Sequence, residues 1–90
     1  MSFNLVYSKK ASKQLDRIDK KYSRIITLWL LKNIHGCKNP RLHGEPLEAN
    51  HKGKWRYRIG SYRILVDIID KELIVLALNV GHRKDIYEIR

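Results

Sequence analysis

A single cysteine, Cys37, stands in this 90-residue sequence, so no disulfide can form within the chain. Paired thiols for zinc or for electron shuttling are excluded with it. Acidic residues are scarce: nine Asp and Glu face nineteen Lys and Arg, leaving a formal charge of +10 at pH 7. Self-repulsion on that scale suits a protein that meets a polyanion or an acidic partner, with nucleic acid the first candidate and an acidic protein the second. Long apolar runs are missing. The longest, LIVLAL at 73–78, is far too short to cross a bilayer, and the opening MSFNLVY is short and broken by Asn4. No membrane association and a cytoplasmic location are therefore expected. P-loop, G-x-G-x-x-G and H-E-x-x-H patterns are absent, and His35, His43, His51 and His82 lack the spacing of a zinc site. No metal and no cofactor are expected.

Glycine and proline are absent from residues 9–35 and crowded into 35–53, which holds three of the five glycines and both prolines. The first stretch reads as helix and the second as loop. FNLVYS at 3–8 alternates as a short strand, and Ser8 stands where a helix N-cap would. Leu15, Ile18, Tyr22, Ile25 and Trp29 form an apolar stripe at steps of three and four. One unbroken helix would run about 40 Å, too long for a domain about 30 Å across. A bend near Asp19-Lys20-Lys21, making a helical hairpin, resolves this. After the loop the period becomes two: KWRYRI (54–59), YRILVDII (62–69) and LIVLALNV (73–80) read as strands. The expected fold is α+β, one domain over residues 1–90: an N-terminal strand, a helical hairpin, then a three-stranded antiparallel meander packed on the helices.

Gly60-Ser61 fits a two-residue hairpin loop with glycine first. Ile59 would then pair with Tyr62, Arg58 with Arg63 and Tyr57 with Ile64. Alternation places Trp55, Tyr57, Ile59, Tyr62, Ile64 and Val66 on the helix side, and Arg56, Arg58 and Arg63 on the other. Arg58 opposite Arg63 is unfavourable by up to roughly 1 kcal/mol. From Ala49 to Val66 there is no Asp or Glu, yet there are five Lys and Arg. An external phosphate is the expected counter-ion; a merely solvated basic face is the alternative. Unbroken alternation along the third strand would bring Ile74, Leu76, Leu78, Val80 and His82 to the arginine side, unless a bulge at Gly81 turns His82 away.

LHGEPL before a basic strand, WRYRIGSYRILVDI, and a closing VGHRKDIY together resemble the RelE branch of the RelE/ParE toxin superfamily, over essentially the whole chain. The resemblance implies a microbial-ribonuclease-like fold and the toxin of a type II toxin–antitoxin pair. It further implies a metal-independent endoribonuclease that cleaves mRNA in the ribosomal A site by attack of a ribose 2′-OH on the adjacent phosphate. Partners would be an acidic antitoxin, mRNA and the ribosome, with operator DNA reached only through the antitoxin. Motif matching carries roles onto Arg56, Arg58, Arg63, Arg83 and Tyr87. Arginines stand at 56 and 58 where the best-known member has lysines, and His82 precedes Arg83 where it has a lysine. The spacing from Gly81 to Tyr87 is also shorter. Arginine stays protonated, so the expected base is His82, with Arg58, Arg63 and Arg83 clamping the phosphate. Tyr87 stacks on a base, assists the leaving 5′-oxygen or simply anchors the C-terminal segment; Lys52, Lys54 and Arg56 hold RNA. The competing reading within the superfamily is a ParE-like protein that inhibits DNA gyrase without catalysis.

Overall fold

In the computed structural model, which describes residues 1–47 and 53–82, the chain opens on strand β1 (Asn4–Tyr7) and enters two helices. The helices are α1 (Lys9–Arg17) and α2 (Lys20–Asn33). Ser8 caps α1: its Oγ accepts from the Ala11 N–H at 3.0 Å. The hairpin bend falls where length required it. Ile18 is extended, and Asp19 caps α2 by accepting from the Lys21 N–H at 2.9 Å. A 3-10 turn (Pro40–His43) and strand β2 (Glu45–Pro46) follow, then β3 (Lys54–Ile59), β4 (Tyr62–Ile69), a second 3-10 turn (Asp70–Glu72) and β5 (Ile74–His82).

The fold class is the expected α+β, but the sheet has five strands, in the order β1-β5-β4-β3-β2. β1 joins parallel to β5, and β2 arises inside the stretch read as loop, pairing Glu45 with Arg56 and Pro46 with Trp55. Gly44 makes that strand possible. A Cβ there would lie 2.6 Å from the Arg56 carbonyl oxygen and 2.7 Å from the Tyr57 ring, so only glycine lets the chain come so close to β3. The Tyr57 ring is itself pinned, its buried hydroxyl donating to the Pro40 carbonyl at 2.7 Å.

Both helices cover one face of the sheet. The core joins Ala11 and Leu15 of α1 and Ile26 and Leu30 of α2 to Tyr57, Ile64, Val66, Val75 and Val80 of the strands. Trp29 and Trp55 pack against it, partly buried. The apolar stripe drawn across both helices is corrected in its second half: Tyr22 and Ile25 are 45% and 47% exposed, whereas Ile26 is 1% exposed and Leu30 fully buried. The break at Ile18-Asp19 ends the phase of α1, so steps counted across it do not predict which side of α2 turns inward.

The hairpin register is as expected. Ile59 pairs with Tyr62, Arg58 with Arg63 and Tyr57 with Ile64, around Gly60 at φ 60°. The third strand departs from expectation. Leu65 pairs with Asn79 but Val66 with Ala77, leaving Leu78 as a bulge. Hydrogen bonds from α1 and its cap hold it. Ser8 Oγ donates to the Leu78 carbonyl at 3.2 Å, and the Val80 N–H donates to Gln14 Oε1 at 2.7 Å. Gln14 Nε2 donates in turn to Asn79 Oδ1 at 3.2 Å. The Gln14 amide thus does for β5 what a strand partner would do past the end of β1.

Two substitutions test these contacts. Gln14→Leu strands the part-buried Val80 N–H and is expected to destabilise the fold by about 1–3 kcal/mol, read as a fall in thermal midpoint. Gly44→Ala forces β2 off β3 and is expected to cost about 2 kcal/mol or more. A Gly44→Ala protein melting with the wild type would contradict the close approach.

Candidate functional site

The sheet face opposite the helices carries the arginines. Three register facts assemble it: Arg56 lies between Glu45 on β2 and Leu65 on β4, Arg58 lies across from Arg63, and Arg63 lies across from Gly81. The like-charged pair expected from the hairpin is therefore present.

The expectation that this face has no internal counter-ion is corrected. Glu45 Oε2 accepts from Arg56 Nη2 at 2.7 Å and from Arg58 Nη2 at 3.2 Å. Arg56, and after it Arg58, hold the Glu45 carboxyl below the usual carboxylate range. Lys54 is matched too, its Nζ 3.2 Å from Asp67 Oδ2. Both acids lie just outside the acid-free window, and a contiguous stretch of sequence says nothing about what a neighbouring strand delivers. Leu42, His43, Gly44, Glu45, Arg56 and Arg58 line an open hollow of about 210 Å³ here.

Arg63 differs from its neighbours. It is only 6% exposed, and among the described residues no carboxylate reaches it. Its Nη1 donates to the Tyr62 carbonyl at 3.3 Å, while its buried Nε has no hydrogen-bond partner. A buried guanidinium without a counter-ion is costly, by several kcal/mol in typical proteins. The group is competent to receive an anion, and the half-exposed Arg58 across the ladder offers the second arm of a phosphate clamp.

His82 does not join this cluster, which corrects the expectation of a shared face. The bulge comes at Leu78, three residues before Gly81, and it reverses the alternation of everything after it. Val80 turns into the core, and His82 pairs with Tyr62 on the helix side, its ring edge-on to the Tyr62 ring with centroids 5.8 Å apart. Of the motif-derived positions, Arg56, Arg58 and Arg63 are brought together. Lys54 shares their face in an ion pair. Lys52, Arg83 and Tyr87 lie outside the described residues. Glu45 is the residue of the site that reading the sequence missed. Its signal was the quoted LHGEPL itself, in which glycine precedes an acid shortly before a basic strand. Among the described residues no cluster of His, Cys, Asp and Glu could hold a metal ion, and no helix is long and apolar enough to cross a membrane.

Comparison with known proteins agrees with the fold. Residues 5–87 match the family described as ParE toxin of type II toxin–antitoxin system, parDE. Toxin RelG of Mycobacterium tuberculosis is 40% identical over 50 residues, which span 56% of this chain and 58% of that protein's length. The toxin–antitoxin complex RelBE2 of M. tuberculosis superposes with a TM-score of 0.83 at 23% identity, covering 92% of this chain and 93% of the other. A mutant of the Escherichia coli toxin RelE in the free state superposes with a TM-score of 0.75 at 18% identity, over 98% and 93% of the two chains. At these identities the solved structures speak for the fold, and the family match speaks for membership. The chain belongs to the ParE toxin family of type II toxin–antitoxin systems, within the RelE/ParE superfamily.

Proposed function

We propose that the chain is a metal-independent endoribonuclease that cuts mRNA on the ribosome, in the cytoplasm, and that an acidic antitoxin restrains it. The observation that carries the reading is Arg63: a buried guanidinium with an unpartnered Nε, no carboxylate among the described residues and a second arginine across the ladder. Such a site matches a phosphodiester better than it matches any group the described chain offers. Arg58 and Arg63 grip the non-bridging oxygens and gain strength as charge builds on them during attack.

With His82 on the far side of the sheet, the base on the arginine face is Glu45. Its carboxylate takes the proton of the ribose 2′-OH as the 2′-oxygen bonds to phosphorus. The bond from phosphorus to the 5′-oxygen breaks, and that oxygen takes a proton from Tyr87 or water. A 2′,3′-cyclic phosphate and a 5′-hydroxyl result. The arginines that depress Glu45 make it a weak base, yet keep it ionised at neutral pH and aimed. General base catalysis of this kind contributes about 10²–10⁴-fold. The remaining acceleration comes from positioning, which is the ribosome's expected share. Arg83 joins the clamp on the strength of its motif, and Lys52, Lys54 and Arg56 track the RNA backbone.

A second reading, inhibition of DNA gyrase by binding alone, draws on the ParE description of the matching family. Mapping transcript ends after expression separates the two. Cuts within codons of translated messages support the nuclease, and double-strand DNA breaks with intact messages support gyrase. Arg63→Ala is expected to abolish cleavage with the fold retained. Glu45→Gln removes a negative charge beside the phosphate, so RNA is expected to bind tighter while cleavage falls about 100-fold. Undiminished cleavage by Glu45→Gln would remove the base assignment. The depressed carboxyl also sets a pH window. Its ion pairs with Arg56 and Arg58 are complete above the ordinary carboxylate range and are lost as pH falls through the lowered value, so Glu45→Gln should blunt acid destabilisation.

A further inference from the structure

Glu45 sits on a strand too short to hold it. β2 has two residues, and one of them is Pro46, which has no N–H to give to the ladder. After it the Leu47 N–H donates to the Lys54 carbonyl at 3.0 Å. On the other side of Glu45 the chain arrives from the 3-10 turn Pro40–His43, and that turn is fastened at two points. The Pro40 carbonyl takes the buried Tyr57 hydroxyl at 2.7 Å. One residue on, Arg41 reaches the turn between β4 and β5, where its Nη1 and Nη2 donate to Asp70 Oδ1 and Oδ2 at 3.0 and 2.8 Å. Its guanidinium carbon lies 5.9 Å from the centre of the Trp55 ring. A partly exposed ion pair is ordinarily weak, but a two-pronged one backed by an indole holds a fixed geometry. Asn39 Oδ1 closes the turn by accepting from the Arg41 N–H at 3.2 Å. Tyr57 serves both ends of this path, because the ring whose hydroxyl holds Pro40 also lies against Gly44.

We propose that Asp70, Arg41 and Tyr57 are positioning residues for the Glu45 carboxylate: they lock the Pro40–His43 turn, and the locked turn sets where Glu45 meets Arg56 and Arg58. Asp70 does this from outside the site. It follows Asp67, the partner of Lys54, whereas Glu45 is level with Arg56. The charged and titratable groups around Glu45 are Arg56 and Arg58 of β3, with His43 of the turn lining the same hollow; Arg41 and Asp70 do not line it. Freed from Asp70, Arg41 regains its rotamers and the turn keeps one anchor of two. Gly44 and Glu45 then move with the turn, since only two ladder positions oppose it. The catalytic meaning of the lock rests on the nuclease reading above; the lock itself rests on these contacts.

The test follows the Glu45 side-chain carboxyl by isotope-edited NMR titration of the full chain, a readout that needs no cleavage. In the wild type the carboxyl is expected below the usual carboxylate range, held there by Arg56 and then Arg58. In Asp70→Asn and in Tyr57→Phe it is expected to rise toward that range. The sign is diagnostic. Removing the Asp70 charge and leaving Arg41 uncompensated would by field alone push Glu45 lower still, so a rise reports displacement. The Asp70 side chain is 60% exposed, so its variants keep the fold. Asp70→Glu, which keeps a carboxylate for Arg41, is expected to restore the wild-type titration. Ile26→Val, a core change on the helix side, is expected to lower the thermal midpoint and leave Glu45 unmoved. An unmoved Glu45 in both Asp70→Asn and Tyr57→Phe overturns the proposal, as does a fall in Asp70→Asn or an equal rise in Ile26→Val. Cleavage of translated mRNA is measured separately. Asp70→Asn is expected to lose about 10–100-fold in kcat with KM unchanged, because it misplaces the base and leaves the RNA-holding arginines alone. Wild-type kcat alongside a shifted Glu45 overturns the positioning role. If the wild-type chain cuts no message while Glu45 still shifts in the variants, the nuclease reading falls and the lock stands.

Discussion

One side-chain amide, that of Gln14, decides what each face of this protein presents. Its Oε1 takes the Val80 N–H and its Nε2 reaches Asn79, while Ser8 takes the Leu78 carbonyl, and between them the bulge at Leu78 is held. Without the extra residue, Leu78, Val80 and His82 would face the arginines and the residues between them would face the helices. With it, Val80 fills the core, Gly81 lies beside Arg63, and the His82 ring meets Tyr62. A His82 ring turned away from the arginines and an aromatic cleft under α2 are two consequences of one local irregularity.

What was legible in the sequence is what local chemistry determines. A two-residue turn beginning with glycine leaves little freedom in the register around it, so Arg58 opposite Arg63 could be read from Gly60-Ser61 alone. Ser8 and Asp19 announced the helix starts because a cap is a matter of a few neighbouring residues. The bulge was not legible, because the groups that hold it lie about sixty-five positions away in sequence. Glu45 was hidden for the same reason. Its partners are neighbours across strands, and the strand that brings it exists only because Gly44 can approach the β3 backbone. The outward turn of Tyr22 and Ile25 was obscured by a period counted through the Ile18-Asp19 break, where the helical phase restarts.

The electrostatics of the arginine face are graded. Arg58 is half exposed and bonded to a half-exposed carboxylate, an arrangement that solvent screens and that is easily exchanged for another anion. Arg56 is more enclosed but shares the same Glu45 oxygen. Arg63 is buried, with its Nε unmatched. On the proposed nuclease reading, an arriving phosphate would meet two kinds of guanidinium. One kind is held in place by a carboxylate that also competes for it, and the other gains a counter-ion it otherwise lacks. The competition has a use, since the carboxylate displaced from Arg58 remains within reach of whatever Arg58 then holds.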